Sequence, residues 1–163
     1  MPTTLTAMAT VLDPRGGLRV DARTGTGFEL SFDTDEAEAD RAGPSPTESI
    51  LAALAACTSM DVASILRKKR QPAEGYRIAV TGQKADEHPQ VYTSIVIEHL
   101  VSGDVEPEAL RRAVELSATT YCPVNAMLSG SVRVEHRYRL AQRDREEVSA
   151  LVAVTGPEGT QVL

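Results

Sequence analysis

Two cysteines, Cys57 and Cys122, are the residues in this chain best suited to covalent chemistry. A thiolate is a nucleophile, and its oxidation runs through a sulfenic acid to a disulfide when a second thiol is in reach. Asp61 lies one helical turn after Cys57, so thiol and carboxylate share a face. A carboxylate beside a thiol disfavours the thiolate, so a reactive Cys57 needs a cation from outside its own helix. The nearest cations along the helix, Arg67 to Arg70, come more than two turns later. On residue type alone a cysteine in an apolar helix is ordinarily a packed, inert side chain.

The element that must position Cys57 runs from Pro44 to Arg70. Ser45 is the expected N-cap, Pro46 the first helical residue, and Glu48 completes a capping box. From Ile50 to Cys57 almost nothing is polar, and the basic end suits the negative pole of the helix macrodipole. A helix so nearly apolar all round is buried, and Ala52, Ala53, Ala55 and Ala56 allow a second layer to approach closely. One face carries Ile50, Leu54, Cys57, Asp61 and Ile65. Asp61, between Met60 and Val62, needs a partner, either a structural one or one in a reactive site.

Cys122 precedes Pro123 at the start of a short segment, PVNAML, which places it as a helix cap facing unsatisfied amides. That setting lowers a thiol pKa. Before it, Glu106, Pro107 and Glu108 open a helix whose inner stripe is Leu110, Ala113, Val114 and Ser117. The pattern pauses at Thr119 and Thr120.

The rest of the chain reads as strands. Residues 3–11, 18–23 and 27–33 make a three-stranded antiparallel start, followed by an acidic loop from Thr34 to Asp40. Two long strands at about 76–85 and 91–102 follow the central helix, and Ser131 to Leu140 is another, with Val132 and Val134 on one face. His88, His99 and His136 lack ligand spacing and read as surface or half-buried residues. Beyond Leu140 the pattern suggests one short helix around Asp144 to Val152.

At 163 residues and 42% hydrophobic content, the chain can bury a core, which scarce aromatics leave to Ala, Leu, Val and Ile. The net charge of −6 and the lack of a basic, aromatic-interleaved patch argue against nucleic acid as a partner. MPTTLTAMATVLDPRGG has no basic start followed by an apolar core, so a cytoplasmic protein without membrane attachment is expected. With no CxxC and no clustered His or carboxylate set, a metal site is disfavoured.

Taken together, SPTESILAALAACTSMDVASIL and AVELSATTYCPVNAMLSGSVRVEHRY resemble the OsmC/Ohr family, named for osmotically inducible protein C and the organic hydroperoxide resistance proteins. The resemblance covers the domain at residues 1–140 and leaves 141–163 as a C-terminal extension. It implies an α+β fold of order β-β-β-α-β-β-α-(α)-β in an intertwined homodimer, with the central helices buried under wrapped antiparallel sheets. It further implies a thiol-dependent peroxidase acting on organic hydroperoxides or hydrogen peroxide. Cys57 would become the sulfenic acid, Cys122 would resolve it as a disulfide, and a dithiol such as a lipoylated protein would reduce that disulfide. No organic or metal cofactor is implied.

The sequence departs from the hydroperoxide-resistance branch where a glutamate that braces the activating arginine is replaced by Thr47. Glu48 lies one residue later, rotated by about 100° around the helix, and is a candidate for the site as well as for the cap. Arg15, Arg19 and Arg23 fall in the region of the arginine, with Arg19 the expected one. CTSMDVASILRKKRQ resembles instead an OsmC-like branch with Cys-x-x-x-Asp, in which Asp61 would brace an arginine reached across the dimer. The competing implication is a stress-associated or small-ligand-binding protein that keeps the fold without efficient peroxidase chemistry.

Overall fold

A computed structural model describes residues 3–34 and 40–163, so that residues 35–39 of the expected acidic loop lie outside it. The chain forms two compact units, Met1–Ile50 and Leu51–Leu163.

In the first unit β1 (Ala7–Val11), β2 (Val20–Thr24) and β3 (Glu29–Phe32) form an antiparallel sheet in the order β1-β2-β3, as the alternation predicts. The register pairs Val11 with Val20 and Val20 with Phe32. Most of this sheet's apolar side chains stay exposed, among them Met8, Phe28 and Leu30.

Helix α1 (Pro46–Lys68) begins where its capping signals put it. The Glu48 amide donates to Ser45 Oγ at 3.3 Å, and the Ser45 amide donates to Glu48 Oε2 at 2.8 Å, which is the reciprocal capping box. By length and composition alone α1 could cross a membrane. In the fold it buries Leu54, Thr58, Val62 and Leu66, while Ala52, Ala53, Ala56, Met60 and Ala63 on its other side are exposed. The expectation of a helix buried all round is thus corrected within the single chain. Thr58, not Cys57, lies at the centre of its buried stripe.

The second unit is built on a sheet of order β4-β5-β6-β7-β8. Strands β4 (Ala73–Lys84) and β5 (Tyr92–Gly103) form the expected antiparallel hairpin. Gly103, at φ 125°, lies where a Cβ would come 2.5 Å from the Pro72 carbonyl oxygen, so a side chain there is excluded twice over. Helix α2 (Pro107–Leu116) buries Leu110, Ala113 and Val114. One π-helical turn, Ser117–Tyr121, follows at the pause around the two threonines, and α3 (Pro123–Leu128) completes the crossover. Strand β6 (Arg133–Ala141) then runs parallel to β5, with Ile97 opposite His136 and Val101 opposite Leu140.

The C-terminal residues correct the expected helix. They form β7 (Val148–Gly156), antiparallel to β6, and β8 (Gly159–Val162), antiparallel to β7. Val152 and Ala153 of β7 are fully buried in the same apolar cluster as Val62, Val101, Leu110 and Leu140. A second cluster gathers Leu54, Ile95, Ile97, Cys122, Val132 and Val134. The fold is α+β.

Candidate functional site

The second unit brings Cys57, Asp61 and Cys122 together, their two sulfurs and a carboxylate oxygen lying within 4.8 Å of one another. Both cysteines are free thiols, Cys57 half-buried and Cys122 buried. Cys57 and Asp61 come from one face of α1 at i and i+4, at the margin of the buried stripe. Cys122 comes from the N-cap of α3, where Pro123 sets the first helical residue and the sulfur accepts the Asn125 amide at 3.4 Å.

The cap is as expected, but its electrostatic outcome is not. Burial pushes the Cys122 thiol up to about 12. The Asn125 N–H pulls it down, and contact with Cys57 and the charge of Asp61 raise it further. Desolvation exceeds one long amide hydrogen bond, so Cys122 holds its proton at neutral pH.

Asp61 is partnered, although not by a cation. Ser117, wholly buried at the end of α2, donates from Oγ to Asp61 Oδ2 at 3.0 Å. Having given its proton, Ser117 Oγ is left to accept from Thr58 Oγ1 at 2.9 Å, so Thr58 and Ser117 form a buried relay ending on the carboxylate. Among the described residues of this unit, Asp61 carries no ion pair. Its charge is felt at Tyr76, whose phenol is pushed up by burial first and by Asp61 second.

Behind Cys122 lies a second polar chain. Asn125 Nδ2 donates to the Ala118 carbonyl at 2.8 Å, Thr155 Oγ1 donates to Asn125 Oδ1 at 3.3 Å, and that hydroxyl is left to accept from His136 Nε2 at 3.3 Å. Thr155 comes from β7, so the C-terminal strands help hold the loop that presents Cys122. His136 and His99 are both fully buried, which corrects the reading of them as surface or half-buried. His99 Nδ1 is hydrogen-bonded to the Tyr76 hydroxyl at 2.6 Å, while His99 Nε2 and His136 Nδ1 have no partner among the described residues.

Of the remaining candidates, Glu48 is engaged in the capping box and Arg19 lies in the first unit, 3.9 Å from Asp21. The ground for setting a metal aside is corrected as well, since a carboxylate does cluster with both cysteines. Sequence reasoning passed over Ser117, Thr58, Asn125 and Thr155. A serine on the apolar stripe of α2 was the available signal for the first.

The family model described as OsmC-like protein matches residues 36–137. Protein YhfA of Escherichia coli K12 is 35% identical over 125 residues, which is 76% of this chain and 91% of that protein. A crystal structure of a protein from Aquifex aeolicus VF5 superposes with a TM-score of 0.73 at 26% identity, covering 88% of this chain and 100% of that one. An organic hydroperoxide resistance protein from Elizabethkingia anophelis shares the fold at a TM-score of 0.59 and 14% identity, covering 88% and 99% of the two chains. With two thiols and an element order of this kind, and a family match over most of its length, the chain belongs to the OsmC-like protein family.

Proposed function

We propose that the protein is a thiol-dependent peroxidase that reduces organic hydroperoxides through Cys57 and Cys122. The observation that carries this reading is the approach of two free thiols to within 4.8 Å across separate elements. The Cys57 sulfur attacks the outer peroxide oxygen, the O–O bond breaks, the alcohol leaves with a proton, and Cys57 becomes a sulfenic acid. The Cys122 sulfur then attacks the Cys57 sulfur, and the hydroxyl departs as water with the Cys122 proton. The Asn125 amide supports charge as it develops on Cys122. A dithiol reductant, such as a lipoyl group on a partner protein, returns both thiols by exchange. A cytoplasmic setting, where thiols are kept reduced, suits this cycle, and the cycle calls on no organic cofactor.

Assembly belongs to the same proposal. Exposed Met60 on α1 and Met127 on α3, at 70% and 72%, with Ala53, Ala56 and Ala63 along α1, make an apolar face that a second copy would cover. In such a homodimer an arginine of the N-terminal strands, Arg19 ahead of Arg15 and Arg23, would supply a cation to Cys57. Asp61 would brace it, and an Asp61→Ala variant with full peroxide reactivity would argue against that role.

The adjacency of Asp61 to both sulfurs, with Thr47 where the hydroperoxide-resistance branch has glutamate, favours a second reading: a small-ligand-binding protein with weak or no peroxidase activity. Mass spectrometry after one equivalent of cumene hydroperoxide separates the two. The peroxidase forms a Cys57–Cys122 disulfide, and Cys122→Ser traps a sulfenic acid on Cys57. Thiols that stay reduced in the wild type leave the binding protein.

A further inference from the structure

We infer that Cys57, Asp61 and Cys122 form a binding site for a thiophilic divalent cation, zinc above all, with the fourth position open to water. The donor set is two thiolates and one carboxylate, with three ligand atoms already within 4.8 Å of each other. A tetrahedral centre with Zn–S bonds of ~2.3 Å holds its ligands about 3.7 Å apart, so the cluster must contract by only about 1 Å. Thiolates select zinc over magnesium or calcium, which prefer all-oxygen shells. Three protein ligands plus an exchangeable fourth is the arrangement of an open zinc site.

The surroundings match what such a centre requires beyond its ligands. Ser117 donates to Asp61 Oδ2, which fixes the carboxylate that joins the two sulfurs, and the Asn125 amide donates to Cys122 Sγ. Both supporting residues are buried, Ser117 at 0% and Asn125 at 1% exposure, and each is tied to a further element through Thr58 or Thr155. The ligands come from α1 and the start of α3, so the cation would pin the crossover to the central helix. The site does not rest on the peroxidase reading, since it asks only that the two sulfurs and the carboxylate converge. Where both functions exist they compete, because a cation shared by the two sulfurs draws off electron density with which they attack peroxide.

Anaerobic titration of the reduced full chain with cobalt(II), then displacement by zinc, tests the assignment. One cobalt per chain is expected, with sulfur-to-cobalt charge-transfer absorption and the visible bands of a tetrahedral ion. Cys57→Ser and Cys122→Ser should each lose about half of the charge-transfer intensity. Ser117→Ala should weaken binding ~10-fold, and Asp61→Asn by more than that, each variant being checked by circular dichroism for its fold. Zinc should also protect the half-buried Cys57 thiol of the wild type from iodoacetamide. Absence of the sulfur-to-cobalt band in folded wild type overturns the site, and so does Asp61→Asn binding as tightly as the wild type. Disulfide formation by peroxide, read by mass on metal-free protein, is independent of either result.

Discussion

At the scale of single residues, the site is a competition between desolvation and local partners. Cys122 has the helix-cap amide that its sequence position promises, yet burial decides its protonation. Asp61 is tolerated in the middle of α1 because a buried hydroxyl aims at it. Removing that hydroxyl leaves Thr58 Oγ1 without its acceptor and the carboxylate without its donor. Ser117→Ala should therefore cost about 1–3 kcal/mol of unfolding free energy, measured by urea denaturation of metal-free protein. Cys57 and Asp61 were legible as a pair from their spacing along one helix. Their meeting with Cys122 was not, because it depends on how the crossover folds back over β5 and β6. The histidines show a different failure. Alternation along residues 91–102 puts His99 on one face with Ile95 and Ile97, and extending the Val132, Val134 face by two residues reaches His136. The polarity of the residue type outweighed a periodicity that was correct.

At the scale of elements, local signals were read well and long-range pairing was not. The α1 start is written in Ser45, Pro46 and Glu48, and the structure contains both hydrogen bonds of the box. Ser45→Ala should lower stability by about 1 kcal/mol, visible in a thermal melt as a small downward shift with an unchanged far-ultraviolet spectrum. The stripe of α2 and the cap of α3 were equally local. The tail was misread because Asp144 to Glu147 are charged and Val148 to Val152 are compatible with either period. What settles it is β6, whose register from Val134 opposite Thr155 to Leu140 opposite Val148 offers a ladder broken only by a bulge at Val152. No property of residues 141–163 taken alone carries that information. The π-helical turn was visible only as a pause at Thr119 and Thr120.

At the scale of the whole molecule, two buried imidazoles make stability depend on pH. Burial lowers His99 to about 3, with the charge of His136 adding to it, and burial lowers His136 to about 4, both from an ordinary 6.5. Each folded value lies below the unfolded one, so unfolding takes up protons between them. The neutral histidines therefore cost nothing above pH 6.5, and stability is lost progressively as pH falls from there toward 4. At pH 5 each unfolded imidazole is charged while its folded counterpart is not, a loss of about 2 kcal/mol apiece relative to pH 7. Urea midpoints measured from pH 7.5 to 5 should fall steadily, and His136→Gln should remove part of that slope. A flat profile would mean that both rings are solvated.

The two borders of the larger sheet are unequal. Strand β4 is long, at 12 residues, while β8 has only four, all exposed, and begins at Gly159 with its φ of 110°. By lying outside β7, β8 puts a short strand on the side where a nine-residue ladder would otherwise be open. Endless strand-to-strand growth needs two borders that can accept one another. Strand β4 is the border with the longer run of backbone available to a neighbour, and an association of two copies through β4 alone would be self-complementary and close at two.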